Sequence, residues 1–177
     1  MERYKGLLPD GMAHLLFWPL AIAGVVADLW TKHAVFARIE LGESVDIIPG
    51  FLAIAPALND GAAFGIAAGQ LPLLVGIASL ALLVILGVFL FGSAGQRLVQ
   101  AALGLFAAGV CGNLWDRLFN GGQVRDFIDV VYWPGKHWHT FNVADVLLCL
   151  AVGLLVLATL FTGWSCQTHA PQQKSEP

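Results

Sequence analysis

Charged side chains are absent from four long stretches of this 177-residue chain, 11–27, 61–96, 98–115 and 146–173. An ionised group in a hydrocarbon core costs several kcal/mol, and a helix of roughly 20 residues crosses a core of about 30 Å. Four such runs therefore read as four transmembrane helices. The second run has room for one helix and a flanking segment but not for two helices with a turn, so the spans are expected near 13–31, 70–92, 97–117 and 143–164. Charged residues make up 12% of the chain, against about one quarter in soluble domains, so lipid is the solvent for most of it. The expected fold is an all-α membrane protein, a four-helix bundle forming one integral domain over 1–177 with both termini on the same side.

The start of the chain has Arg3 and Lys5 ahead of an apolar run containing "LAIAGVVA", which resembles a secretory signal with a small-residue cleavage site. The run is longer than a signal core, and Asp28 and Lys32 at its far end suit a protein surface, so it reads as the first span. Cations do not orient the bundle. Arg3, Lys5, Arg97 and Lys174 lie at the end holding the termini, and Lys32, Arg38, Arg117, Arg125 and Lys136 at the other, which leaves the positive-inside rule undecided. Of the 12 acids, only Glu2, Asp10 and Glu176 sit with the termini, so polar chemistry is concentrated at the opposite end. Cys111, Cys149 and Cys166 show no CxxC spacing and read as small buried hydrophobes.

Two segments at the acid-rich end, 32–69 and 118–142, exceed simple turns. In the first, "SVDIIPGFLAIA" has strand-like content broken by Pro49 and Gly50, which predicts a short hairpin at the membrane surface. The following "NDGAAFGIAAG" suits an interfacial helix or a lap over a lipid-facing cleft. In the second, turn signals at 120–122 and 134–135 flank the β-branched run Val124 to Trp133, which predicts a strand against the bundle. Trp115, Trp133 and Trp138 favour the headgroup level. The tail 165–177 reads as disordered and polar.

Several polar residues in these segments can carry chemistry. Side chains alternate along a strand, so Asp126 is expected to face the cleft and Asp129 the opposite, solvated or headgroup side, and Asp126 needs a partner from elsewhere. "FNVAD" offers Asp145, three residues after Asn142 at the threshold of the last span, a spacing that equally fits a capping box. Asn113 and Arg117 are i,i+4 neighbours with Asp116 beside Arg117, either a helix-end ion pair with an interhelical hydrogen bond or part of a site. Asp28 and Lys32 form another i,i+4 pair, which can simply close a helix end. Asn59 in "NDG" is turn chemistry or a site residue.

Other chemistries fit less well. A Ser/Lys peptidase would have to use Ser44 with Lys32, the other serines being mid-span or at the wrong end. His137 and His139 could bind a metal with Asp126, but no third histidine of a zinc set is near. No P-loop or GxGxxG is present. A small transporter or channel subunit would place polar residues near the bilayer midplane, whereas here they gather at one end.

In order among four apolar spans, "NDGAAFG", "GNLWDR", "VRDFID" and "FNVAD" resemble lipoprotein signal peptidase, the signal peptidase II family, over nearly the whole chain. The resemblance implies an aspartic endopeptidase of the bacterial inner membrane that removes signal peptides from prolipoproteins, cutting before a cysteine that carries a diacylglyceryl group. It implies Asp126 and Asp145 as the catalytic pair, with Asn59, Asn113, Arg117, Asn142, Asp28 and Lys32 shaping or supporting the site. It implies cytoplasmic termini, a site and a small β/lap subdomain near the periplasmic surface, and a cytoplasmic tail. Diacylglyceryl-modified prolipoproteins and membrane lipids are the expected partners. No cofactor, metal, nucleic acid or obligate protein partner is expected. Two departures stand out. Asp60 follows the asparagine of "NDGAAFG", and Arg125 stands where an apolar residue is usual and is expected to reach lipid headgroups.

Overall fold

The computed structural model describes residues 9–62, 66–92, 97–133 and 135–167. Among these residues, four helices are long and apolar enough to cross a membrane: α1 (Gly11–Phe36), α2 (Leu71–Phe91), α3 (Arg97–Phe119) and α4 (Val143–Gln167), the last meeting that test over its first 18 residues. Several starts have a local cause. Asp10 caps α1 by accepting from the N–H of Ala13 at 2.8 Å, and Arg97 grips the same carboxylate at 2.6 and 2.8 Å, tying the start of α3 to the start of α1. Pro72 stands in the first turn of α2, where the missing N–H is not needed.

The helix α3 is the centre of the bundle, touching each of the other three. Its buried face is built from small residues, among them Ala102, Ala107, Ala108 and Gly109, which let backbones approach closely, as lipid-embedded helices require. A Cβ on Gly109 would sit 2.6 Å from the carbonyl oxygen of Ala144 on α4. Large apolar residues such as Leu15, Ile22, Leu80, Leu83 and Val156 point outward, the surface expected of helices solvated by lipid. Cys149 is exposed on that surface rather than buried as the sequence reading has it, and Cys111 is half-buried.

At one end lies an antiparallel sheet of β1 (Val45–Ile48), β2 (Leu52–Asn59), β3 (Val124–Trp133) and β4 (Lys136–His137), ordered β1-β2-β3-β4. The hairpin turning at 49–51 and the strand from Val124 to Trp133 match the sequence reading. Residues 60–62 and 66–69 form bends and turns with no helix among the described residues, and 63–65 of the expected lap lie outside them. The first helix runs on to Phe36, beyond the expected limit near 31, and α4 takes in the first residues of the expected tail at 165–167. Residues 1–8, 93–96 and 168–177 lie outside the description. The four apolar helices with one small sheet at a single end make this a multi-pass membrane protein.

Candidate active site

The C-terminal end of α3, the N-terminal ends of α2 and α4, and the sheet with the segment that follows it meet around a cavity of ≈ 340 Å³. Both Asp126 and Asp145 line it, together with Asn59, Asn113 and Arg117. Asp126 is delivered by β3, at the register position opposite Ala57 of β2. Its carboxylate is only 2% exposed and accepts from Asn142 Nδ2 at 2.6 Å on one oxygen and from Asn59 Nδ2 at 3.0 Å on the other. Burial pushes its pKa up to about 6; the amide hydrogen bonds oppose that rise and the nearby charge of Asp145 adds to it.

Asp145 stands in the first turn of α4, where the capping box anticipated from "FNVAD" is formed in full. The N–H of Asp145 donates to Asn142 Oδ1 and the N–H of Asn142 donates to Asp145 Oδ2, both at 3.1 Å. The second oxygen of Asp145 accepts from Asn113 Nδ2 at 2.9 Å. Capping and presentation at the cavity are thus one arrangement, since the cap fixes the direction of the carboxylate. Asn59 likewise serves twice, as its Oδ1 closes the turn by accepting from Gly61 N at 2.9 Å while its amide nitrogen holds Asp126.

Behind these groups lies a wholly buried charge cluster. Lys32, 0% exposed, reaches Asp28 at 2.7 Å and Asp116 at 3.2 Å, and donates to Asn113 Oδ1 at 3.1 Å. Asn142 Nδ2 shares that same acceptor at 3.0 Å. With its oxygen held from two sides, the Asn113 amide can only present its nitrogen to Asp145. Asp28 completes its own coordination by accepting from Ala144 N at 2.9 Å, serving the start of α4 from outside. The pair therefore closes a helix end and also braces the site, and Ser44, exposed in the loop before β1, has no place in it.

Arg117 does not pair with Asp116. Its guanidinium donates to Gly61 O at 2.8 Å and to Asn113 O at 3.3 Å, fastening the 59–62 turn to α3. Asp116 instead takes three bonds from Arg125: the backbone N–H at 3.0 Å, Nε at 3.1 Å and Nη2 at 2.6 Å. Arg125 thus reaches inward to a buried carboxylate, not outward to headgroups, because one cation cannot neutralise both Asp28 and Asp116. Asp129 also departs from the sequence reading. It is 8% exposed, not solvated, and lies 2.7 Å from His137 Nδ1. It shares no hydrogen-bond partner with Asp126 among the described residues. Sequence reasoning missed this pair, although the turn signal at 134–135 pointed to a hairpin able to bring 129 and 137 together.

Residues 20–161 match the family model described as Signal peptidase (SPase) II. The chain is 39% identical to the lipoprotein signal peptidase of Symbiobacterium thermophilum over 138 residues, 78% of this chain and 90% of that one. It is 34% identical to the lipoprotein signal peptidase of Halalkalibacterium halodurans over 143 residues, 81% of this chain and 90% of the relative. A solved structure described as a bacterial membrane enzyme, obtained by the in meso method at 2.3 Å resolution, superposes with a TM-score of 0.75 at 30% identity, covering 97% of this chain and 99% of that one. The chain belongs to the signal peptidase II family.

Proposed function

We propose that this protein is a membrane aspartic endopeptidase that removes signal peptides from diacylglyceryl-modified prolipoproteins, cutting just before the lipid-carrying cysteine. The observation that carries the reading is the convergence of Asp126 and Asp145, from β3 and α4, on one cavity where asparagine side chains hold both. Family membership and the relatives' name support the lipoprotein substrate. In this reading the termini are cytoplasmic and the cavity opens near the periplasmic surface of the inner membrane.

Two carboxyl groups on one low-dielectric cavity do not readily both ionise, so the reaction starts with one proton on the pair. We assign that proton to Asp126, whose burial favours the neutral form. Asp145 takes a proton from a water held between the two, and the water oxygen attacks the scissile carbonyl carbon. Asp126 donates its proton toward the developing oxyanion, Asn113 and Arg117, which line the cavity, hold the substrate backbone and offset charge in a low-dielectric site, and Asn142 acts from behind by holding Asp126. Collapse of the tetrahedral species breaks the C–N bond, and a carboxyl proton goes to the leaving amine. No covalent intermediate and no metal enters this scheme.

The apolar side of the cavity, formed by Leu74, Ile77 and Ala78 of α2 with Leu148 of α4, faces the part of the substrate that partitions into lipid. Substrate therefore arrives sideways from the bilayer. The test is cleavage of a synthetic diacylated prolipoprotein by purified protein, with and without chelator. Asp126→Asn and Asp145→Asn are expected to abolish cleavage while the protein stays folded, and chelator is expected to do nothing. Substantial activity in either variant sinks the dyad, and inhibition by chelator sinks the metal-free scheme.

A further inference from the structure

The chain from Trp138 to Phe141 forms one wall of the cavity, facing Asn113, Asp126 and Asp145. Its inner end is fixed, because Phe141 exchanges backbone bonds with Ile128 at 2.8 and 3.1 Å and Asn142 follows within the capping box. Its outer end is held by a short ladder and by side-chain contacts to β3, among them the edge-on contact of the Trp138 and Tyr132 rings at 6.5 Å. Among the described residues the β3–β4 ladder pairs Val131 with His137 and Trp133 with Lys136, and Trp138 N donates to Val130 O at 2.8 Å. The polar side-chain link in this set runs between β4 and β3, from His137 Nδ1 to Asp129 Oδ2 at 2.7 Å.

That link is asymmetric. Asp129 is 8% exposed, and its Oδ1 is buried without a hydrogen-bond partner among the described residues. His137 is 54% exposed on its side chain. A buried carboxylate is costly unless it is paired, so Asp129 depends on His137, whereas a freed imidazole is readily hydrated. Loss of the pair is relieved by letting β4 move off β3 and admitting water to Asp129, which shifts the outer part of the cavity wall. Asp126 itself is held by Asn59 and Asn142, neither of which bonds to the pair.

We propose that Asp129 and His137 form a latch that positions the 138–141 wall against the polypeptide segment flanking the scissile bond, making them positioning residues for substrate binding rather than members of the catalytic pair. This rests on the peptidase reading above. The latch acts on how well the substrate is held and leaves the dyad geometry intact, so its loss appears in KM and not in kcat.

The experiment measures kcat and KM of the purified full chain on a synthetic diacylated prolipoprotein for wild type, His137→Ala, His137→Gln, Asp129→Ala and the double variant Asp129→Ala/His137→Ala. His137→Ala is expected to raise KM about five-fold with kcat within about two-fold, the size of one ordinary net hydrogen bond. His137→Gln, whose amide can still donate to Asp129, is expected to recover most of that KM. The double variant is expected to be no worse than His137→Ala, as one shared interaction is non-additive. An unchanged KM in His137→Ala, a loss confined to kcat, or additive single effects overturns the latch in an enzyme that remains active. A wild type that does not cleave, or an Asp126→Asn variant that does, overturns the dyad reading and the latch with it.

Discussion

Asn142 donates from Nδ2 to Asp126 Oδ1 across 2.6 Å while its Oδ1 accepts the backbone N–H of Asp145 at 3.1 Å. One planar amide thus spaces the two carboxyl-bearing elements, the strand β3 and the start of α4. An aspartate in its place could still cap the helix but could not donate to Asp126 when ionised, and it would add a third carboxyl to the cluster. Asn142→Asp is therefore expected to lower kcat by about a hundred-fold, in the range that transition-state electrostatics commands, and also to lower Tm, because the new carboxyl is buried against the oxygens of Asp126 and Asn113. Asn142→Ala should lose activity and also about 1 kcal/mol of stability from the missing cap. Paired kcat and Tm measurements separate the two effects, and an Asn142→Asp enzyme of wild-type kcat contradicts the spacer role.

The raised pKa of Asp126, about 6 against an ordinary 3.8, gives a pH dependence of definite sign. A carboxyl whose folded pKa lies above its unfolded one contributes stability that is full below about 4 and is lost as pH rises through about 6. The shift corresponds to roughly 2–3 kcal/mol. The Tm of wild type relative to Asp126→Asn should therefore fall between about pH 4 and 6 and stay low above it. The same group should set the alkaline limb of kcat/KM. Asn59→Leu, which removes a hydrogen bond favouring the charged form, should move that limb upward. A limb unmoved by Asn59→Leu would assign it to another group.

Gly112 marks a close approach that the site depends on. A Cβ there would run into the Asp28 carboxylate, with the Ala144 side chain 3.3 Å away. Asp28 accepts from Ala144 N and pairs with Lys32, so pushing it aside loosens the start of α4 and the brace behind Asn113. Gly112→Ala is expected to cost about 1–3 kcal/mol and to reduce kcat several-fold. Gly76→Ala on α2, where a Cβ meets nothing within 4 Å, should be neutral or slightly stabilising. Thermal unfolding and turnover of the two variants side by side provide the check.

The large features were legible because lipid imposes them. Charge-free runs located all four helices, and β-branched content located β3. The FNVAD cap was legible because Asn142 and Asp145 are three residues apart and need only local geometry. What failed were inferences from adjacency and strict alternation. Asp116 and Arg117 are neighbours in sequence, but i,i+1 residues on a helix do not face one another, and the cations that meet Asp116 are Lys32 of α1 and Arg125 across the 120–122 turn. Alternation sent Asp129 outward, but β3 is bulged: the N–H groups of Phe127 and Ile128 both bond to Phe141 O, so the period-two pattern resets and Asp126 and Asp129 are both buried. The β2–β3 register shifts alongside the bulge, between Ile54 and Ala57, where Pro56 has no N–H for the ladder, so the one mark in the sequence lies on the partner strand and not in β3.

Lys32 carries the largest expected stability effect. It is wholly buried, with Asp28 at 2.7 Å and Asp116 at 3.2 Å, and the set is balanced only because Arg125 also serves Asp116. Lys32→Met leaves two buried carboxylates with one cation, and removing one partner of a buried pair costs about 3–5 kcal/mol. Lys32→Met/Asp28→Asn restores the balance of charge, one acid to one cation, and should recover a large part of that loss. It should not recover activity, because Asn113 Oδ1 still lacks the Lys32 donor that keeps its amide nitrogen on Asp145. Tm and turnover of the two variants in detergent therefore diverge: stability returns while kcat remains low. A double variant that regains both would make Lys32 a counter-ion only and remove it from the positioning of Asn113.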